Sequence, residues 1–252
     1  MTLELPQIYD KIVHQRRGGL CYENNGLFSW LLAELGFEVT LLSAQVRRRD
    51  TGIYGPPFDH LVILVVVEGR RWLCDVGYAA GFEVPLSLET DEPQTQDHGV
   101  FRIRRDGETL VLETVEQEEV VQKPPTNDSG DDEQPRRESK LSSWLTLHKF
   151  TLQPRRLHDF EAMCHYHQSS PSSIFYCKSV CSQLLPGGRV TYIGRKLIAT
   201  SFPTEEGGPM KKSTWELTDE DIPGVLRERF GIVVTSDLRP KDEDIIPPPA
   251  IF

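Results

Sequence analysis

Long hydrophobic runs are missing from this chain of 252 residues. The longest purely apolar stretch, Leu61 to Val67, is far shorter than the ~20 residues a membrane-spanning helix needs. The N-terminus lacks the apolar segment of a secretory signal. Positive charge is scarce as well: 28 Lys and Arg stand against 38 Asp and Glu, for a net charge of -10. A general nucleic-acid binder needs a basic face for phosphates, so the composition argues against that class, and no membrane partner is expected. Arg47-Arg48-Arg49 and Lys211-Lys212 are local basic clusters, read first as solvated strand ends or loops. Five cysteines, an odd number at low density, make no disulfide scaffold, so a reducing, cytoplasmic compartment is the expectation. What is there, 38% hydrophobic and 26% charged residues, suits an ordinary globular protein.

The order of patterns points to an α+β fold. Leu27, Phe28, Leu31, Leu32 and Leu35 recur at helical spacing, with Gly36 as the cap and a start near Cys21. Phe37, Val39 and Leu41 then alternate, and the phase shifts at Leu42, Ala44 and Val46, which reads as a strand with a bulge. A Gly- and Pro-rich loop follows, and hairpins are expected at 61–74, at 100–113 around Asp106-Gly107, and at 174–193 around Pro186-Gly187-Gly188. Residues 116–140 are polar and low in large apolar side chains, the composition of an exposed insertion. Thr218 and Asp221 are spaced to cap a helix reaching Phe230, although Pro223-Gly224 falls inside it. The prolines at 247–249 read as an extended tail.

Three residues carry chemistry by position. Cys21 opens a helix directly after Gly18-Gly19-Leu20, where unpaired amides favour a thiolate and glycines allow close approach. His60 opens one strand and Asp75 closes the strand expected beside it, so the hairpin brings an imidazole to a carboxylate. Taken singly, each has a bland reading: a small buried hydrophobe, a core histidine, a turn-forming aspartate. Together they have the order and placement of a thiol-based acyl-transfer site. Cys164-His165-x-His167 and Cys177-x-x-x-Cys181 offer metal-ligating residue types, but not the tight Cys-x-x-Cys turn of structural zinc, and no metal is expected. Phe160, Met163 and Tyr166 read as one face of a short helix.

The stretch Arg17-Gly-Gly-Leu-Cys-Tyr-Glu-Asn-Asn25 resembles the nucleophile signature of arylamine N-acetyltransferases. The likeness continues through Trp30–Phe37, His60-Leu61, Asp75-Val-Gly-Tyr78, Asp159–Met163 and Ser170–Phe175, over nearly the whole chain. The resemblance implies a helical segment over residues 1–36, a β-barrel over 37–153 and an α/β lid with a C-terminal tail over 154–252, around a thiol-protease-like catalytic core. It implies Cys21 as the acetylated nucleophile, His60 as its base and Asp75 as the residue that fixes the imidazole. Tyr78 and Phe82 would line the acceptor pocket, and Pro56, Pro57, Tyr166 and Ser172 would contact acetyl-CoA, with arylamines or hydrazines as acceptors. The paired prolines depart from the pattern because they lack backbone N–H groups that a phosphate contact there would use. Members also carry several dozen more residues before the nucleophile, whereas twenty precede Cys21. A shortened product or a late-assigned start is the expectation, with apolar surface exposed beside the site. A papain-like or transglutaminase-like thiol hydrolase would use the same three residues, and an inactive binding protein is the non-enzymatic alternative.

Overall fold

The computed structural model describes residues 1–49, 51–115, 119–122, 143–203, 208–235 and 241–246. Helix α1 (Leu5–Tyr9) runs through a wide helical turn at Asp10–His14 and is followed, after an extended loop, by α2 (Cys21–Glu34). Strands β1 (Glu38–Val46), β2 (His60–Val67), β3 (Arg70–Cys74), β4 (Leu86–Ser87), β5 (Gln94–Gln96), β6 (Gly99–Asp106), β7 (Thr109–Val115), β8 (Glu119–Gln122) and β9 (Trp144–Phe150) come next. The chain continues through α3 (Glu161–Ser169), α4 (Ile174–Cys177), β10 (Val180–Leu185), β11 (Gly188–Ile193), β12 (Lys196–Ser201), β13 (Met210–Glu216) and α5 (Asp221–Phe230).

Eight strands form one sheet in the order β4-β3-β2-β1-β9-β7-β6-β5, which rolls into a nearly closed barrel. Its two edges are linked by a side chain: Gln94 accepts from Ser87 N at 2.8 Å and donates to Ser87 O at 3.1 Å. Leu42, Leu64, Leu73, Leu86, Ile103 and Leu112 fill the interior. The second sheet runs β10-β11-β12-β13-β8, and α5 packs Ile222 and Leu226 onto its Val190, Tyr192 and Leu197. The fold is thus mixed α+β, as expected, with the helical segment at the front and a barrel next to it.

β2 explains the longest apolar run. Leu61, Ile63 and Val65 face Tyr22 of α2 and Phe160, while Val62 and Leu64 face the barrel interior. A strand buried on both sides has no polar alternation. The same reason corrects the bulge expected in β1: its pairing to β2 runs unbroken from Glu38↔Val66 to Ala44↔His60. Val39 and Leu41 meet the helical cluster, whereas Leu42 and Ala44 meet the barrel. The apparent phase shift is two apolar faces in one regular strand. The β2–β3 turn matches expectation, with Glu68 at φ 53° and Gly69 at φ 73°, the left-handed pair that a two-residue hairpin turn needs.

Other expectations change. The third hairpin starts at Val180, because Ile174–Cys177 forms a short helix capped by the Ser173 hydroxyl, which accepts from Phe175 N at 3.3 Å. Cys177 and Cys181 therefore do not share a strand. Within the expected insertion, Glu119–Gln122 is strand β8, paired in parallel with β13; the rest of that segment and the proline tail lie outside the described residues. The stripe on α2 is only partly buried: Leu27 is covered, but Leu31 and Leu35 are exposed, as are Trp30 and Phe37. The buried face of α2 instead runs through Tyr22, Asn25, Gly26 and Ser29, which meet β2 and the turn at Leu157–Phe160. α5 forms as expected despite Pro223, which occupies its first turn, where a missing N–H costs no hydrogen bond. Among the described residues, no helix is long and apolar enough to cross a membrane.

Two-sided burial of β2 makes a direct prediction. Ile63→Ala and Leu64→Ala, on opposite faces of the strand, each lower the unfolding free energy by about 2–5 kcal/mol in urea titrations. A near-zero cost at either position contradicts the arrangement.

Candidate active site

The thiol sits at the first residue of α2, with Leu20 as N-cap. The turn before it is held by Glu23, which is 2% exposed and accepts from Leu20 N at 2.9 Å. Lys11 approaches both Glu23 carboxylate oxygens, at 2.7 and 2.9 Å, and so balances its buried charge. Asn24 Nδ2 ties the other side of the turn to Gly19 O at 3.1 Å. The free Cys21 is half-buried. Gly77 presses against it: a Cβ there would lie 2.6 Å from Cys21 Cα, so the residue after Val76 has to be glycine for the barrel to meet the helix this closely.

Asp75 is the centre of the site. Its Oδ2 receives His60 Nε2 at 2.6 Å, and its Oδ1 receives Asn25 Nδ2 and Gly77 N, each at 2.8 Å. Asn25 also donates to Leu61 O at 2.7 Å and accepts from Val76 N at 2.8 Å, so one side chain of α2 stitches both strands of the hairpin. Tyr22, on the same helix, donates to the adjoining carbonyls of Phe58 and Asp59, just before His60.

The electrostatics follow from this packing. Burial opposes a charge on His60, but the Asp75 carboxylate and Cys21, by charge and by hydrogen bonding, raise its pKa well above 6.5. Burial likewise opposes charge on Asp75, yet His60, then His148 and Asn25, hold its pKa below 3.8. An imidazolium–carboxylate pair is therefore favoured in the fold. Its contribution is lost on the acid side as Asp75 takes a proton and on the alkaline side as His60 gives one up. Tyr78 is pushed up to about 12 by burial and by Asp75, with Arg49 and Arg189 partly offsetting them.

The structure brings Cys21, His60, Asp75 and Tyr78 together; the Tyr78 ring centroid is 5.5 Å from that of His60. Tyr78 also packs against the barrel cluster that contains Phe82, itself buried and edge-on to Phe101. Pro56 and Pro57 lie in the turn leading to His60, where Pro56 O accepts from Asp59 N at 3.2 Å. Tyr166 is on α3 and Ser172 in the loop beyond it. On α3 the covered stripe is Phe160, Cys164 and His167, with Met163 and Tyr166 at its margins. His167 is engaged by Ser173 Oγ at 2.8 Å and faces Asp59 at 3.5 Å, while Cys164 packs with Tyr22 and Phe160 in the cluster under α2.

Sequence reasoning missed Asn25, Gly77 and His148. Asn25 follows Cys21 by four residues, one helical turn, and that spacing was a usable signal. Nothing local marks His148, which approaches Asp75 from β9 to 4.0 Å. Among the described residues, His60, Asp75 and His148 are the grouping with metal-like spacing, their ligand atoms within 4.8 Å, but His60 and Asp75 already satisfy each other there.

A thiol at a helix start, backed by a buried imidazole and carboxylate next to a β-barrel, defines the class of thiol-nucleophile enzymes. The comparisons with known proteins narrow it. A family model described as N-acetyltransferase matches residues 1–239. Arylamine N-acetyltransferase 2 of Mus musculus is 32% identical over 246 residues, spanning 97% of this chain and 82% of the relative. Arylamine N-acetyltransferase 1 of Homo sapiens is 31% identical over 246 residues, with the same coverage of 97% and 82%. The Mycobacterium abscessus arylamine N-acetyltransferase structure superimposes with a TM-score of 0.74 at 26% identity, over 94% of this chain and 75% of that one. The Mycobacterium marinum enzyme in complex with CoA gives 0.71 at 26% identity, over 92% and 76%. The chain belongs to the arylamine N-acetyltransferase family.

The sign of the His60 shift is testable. With Asp75→Asn the carboxylate's attraction is gone while burial remains, so the His60 pKa falls. Nitrogen NMR of labelled histidine shows His60 doubly protonated at neutral pH in the parent and singly protonated in the variant; the reverse order contradicts this geometry.

Proposed function

We propose that this protein transfers an acetyl group from acetyl-CoA to the nitrogen of an arylamine or hydrazine through an acetyl-Cys21 intermediate. The observation that carries the reading is the 2.6 Å His60–Asp75 contact next to a thiol at the start of α2. Acetyl-CoA is a thioester, so its exchange with a protein thiol is close to thermoneutral. Cys21 attacks the acyl carbon as a thiolate, aided by the helix start and the adjacent imidazolium, and CoA departs as a thiolate that takes up the His60 proton and leaves the imidazole neutral. His60 then takes the proton of the attacking amine as the amine displaces Cys21. Asp75 keeps the imidazole oriented throughout. Because arylamines are largely unprotonated at neutral pH, they arrive nucleophilic.

Tyr78 is proposed as the acceptor-side wall, supported by its ring contact with His60, and Phe82 as the packing behind it. Pro56, Pro57, Tyr166 and Ser172 are proposed as the cofactor side, together with Arg49, whose charge is felt at Tyr78. The acidic chain needs such a local cation for an anionic cofactor. The reading places the enzyme in the cytoplasm, in keeping with its five free cysteines.

Intact-mass measurement after mixing the chain with acetyl-CoA shows one added acetyl group, absent in Cys21→Ala, and an arylamine then removes it. Folded protein without an adduct would overturn the proposal. An acyl-enzyme formed from a peptide substitute, but not from acetyl-CoA, would favour the thiol hydrolase.

A further inference from the structure

His148 is fully buried in the wall of the barrel, and among the described residues neither of its ring nitrogens has a hydrogen-bond partner. An imidazole stripped of water without replacement bonds is costly, and an apolar side chain would fill the same space without that cost. The backbone puts it there by a specific device. β9 pairs with β7 at His148↔Leu112 and then at Thr146↔Glu113, so Leu147 is an extra residue and the strand bulges. Leu147 and Phe150 both still pack into the barrel core, and His148 is turned inward between them. Bulges beside reactive sites commonly re-aim a side chain in this way.

The direction of that aim is informative. Asp75 Oδ1 accepts two hydrogen bonds, from Asn25 and Gly77, while Oδ2 accepts one, from His60. A carboxylate has about four acceptor positions. One on Oδ2 remains open, and His148 Nε2 stands 4.0 Å from that atom. The His148 ring is packed between His60, at 5.4 Å between centroids, and Tyr78, at 5.8 Å, with Phe150 behind. A 4.0 Å separation is too long for a hydrogen bond in this state, yet side chains of reactive sites often tighten only once substrate is bound.

We propose that His148 is a positioning residue for acetyl transfer, donating its Nε2–H as a neutral imidazole to the open acceptor position of Asp75 Oδ2 and so holding the carboxylate, and through it His60, against Cys21. The neutral form follows from its surroundings: burial, and then the charge on His60, push His148 down to about 3. A second imidazolium would compete with His60 for Asp75, whereas a neutral N–H adds a fourth donor without that competition. This role rests on the acetyl-transfer reading given above.

The test compares the full chain with His148→Phe, which keeps an aromatic ring but no donor, and His148→Gln, which restores a donor. Single-turnover acetylation of Cys21 at saturating acetyl-CoA slows by about tenfold or more in His148→Phe, with KM changed less than about twofold, and His148→Gln regains most of the rate. Folding of each variant is checked by its circular dichroism melt. Wild-type rates in His148→Phe, or a folded His148→Gln no faster than His148→Phe, would overturn the proposal. Should wild-type protein itself take no acetyl group, acetyl transfer fails as a reading. Nitrogen NMR of labelled histidine in the wild-type chain then decides the His148 geometry, as it does if the variants misfold. A neutral ring with the proton on Nε2 supports it, and a doubly protonated ring near neutral pH, or a proton on Nδ1, overturns it.

Discussion

A single buried carboxylate holds the reactive region together. Asp75 takes hydrogen bonds from β2 through His60, from α2 through Asn25 and from its own turn through Gly77 N. A charge at 2% side-chain exposure is tolerated only when several donors reach it and a cation lies beside it. The requirement works in both directions. The carboxylate needs the imidazolium and the amides, and meeting that need brings a helix start and a hairpin end to the same point.

The hairpin of β2 and β3 is the shared wall. Its strands carry two apolar faces, one for α2 with the Phe160 turn and one for the barrel, and the polar site occurs only at their open end. Packing fixes the wall on both sides, so the side chains at its rim inherit its rigidity. Close approach at Gly77 and the Glu23–Lys11 pair beneath the Cys21 turn set where the sulfur lies against that rim. The site is thus precise for the same reason that the core is dense.

Much of this was legible in the sequence. Helix start, hairpin and the meeting of His60 with Asp75 followed from local signals: the glycines before Cys21, the period of α2, and the strand-end positions of His60 and Asp75. Where the reading failed, non-local packing decided. β1 reads as bulged because alternation assumes one wet face, while both of its faces are covered. Among the described residues a bulge lies in β9, where no pattern announces it. Leu31 and Leu35 fit a helical stripe, yet the barrel covers only the side of α2 that carries Tyr22 and Asn25. Ile174–Cys177 has strand-forming residues, but Ser173 caps it into a helical turn.

The central claim is that Asp75 couples helix to hairpin and thereby sets the chemistry, and Asn25 is the residue that tests it without touching thiol or imidazole. The measurement is the rapid-quench rate at which Cys21 takes up acetyl from acetyl-CoA in Asn25→Ala, with folding confirmed at the same temperature. The account predicts a loss of about 100-fold, because the carboxylate and the helix no longer share a fixed geometry. A folded Asn25→Ala protein that acetylates at the parent rate would contradict it.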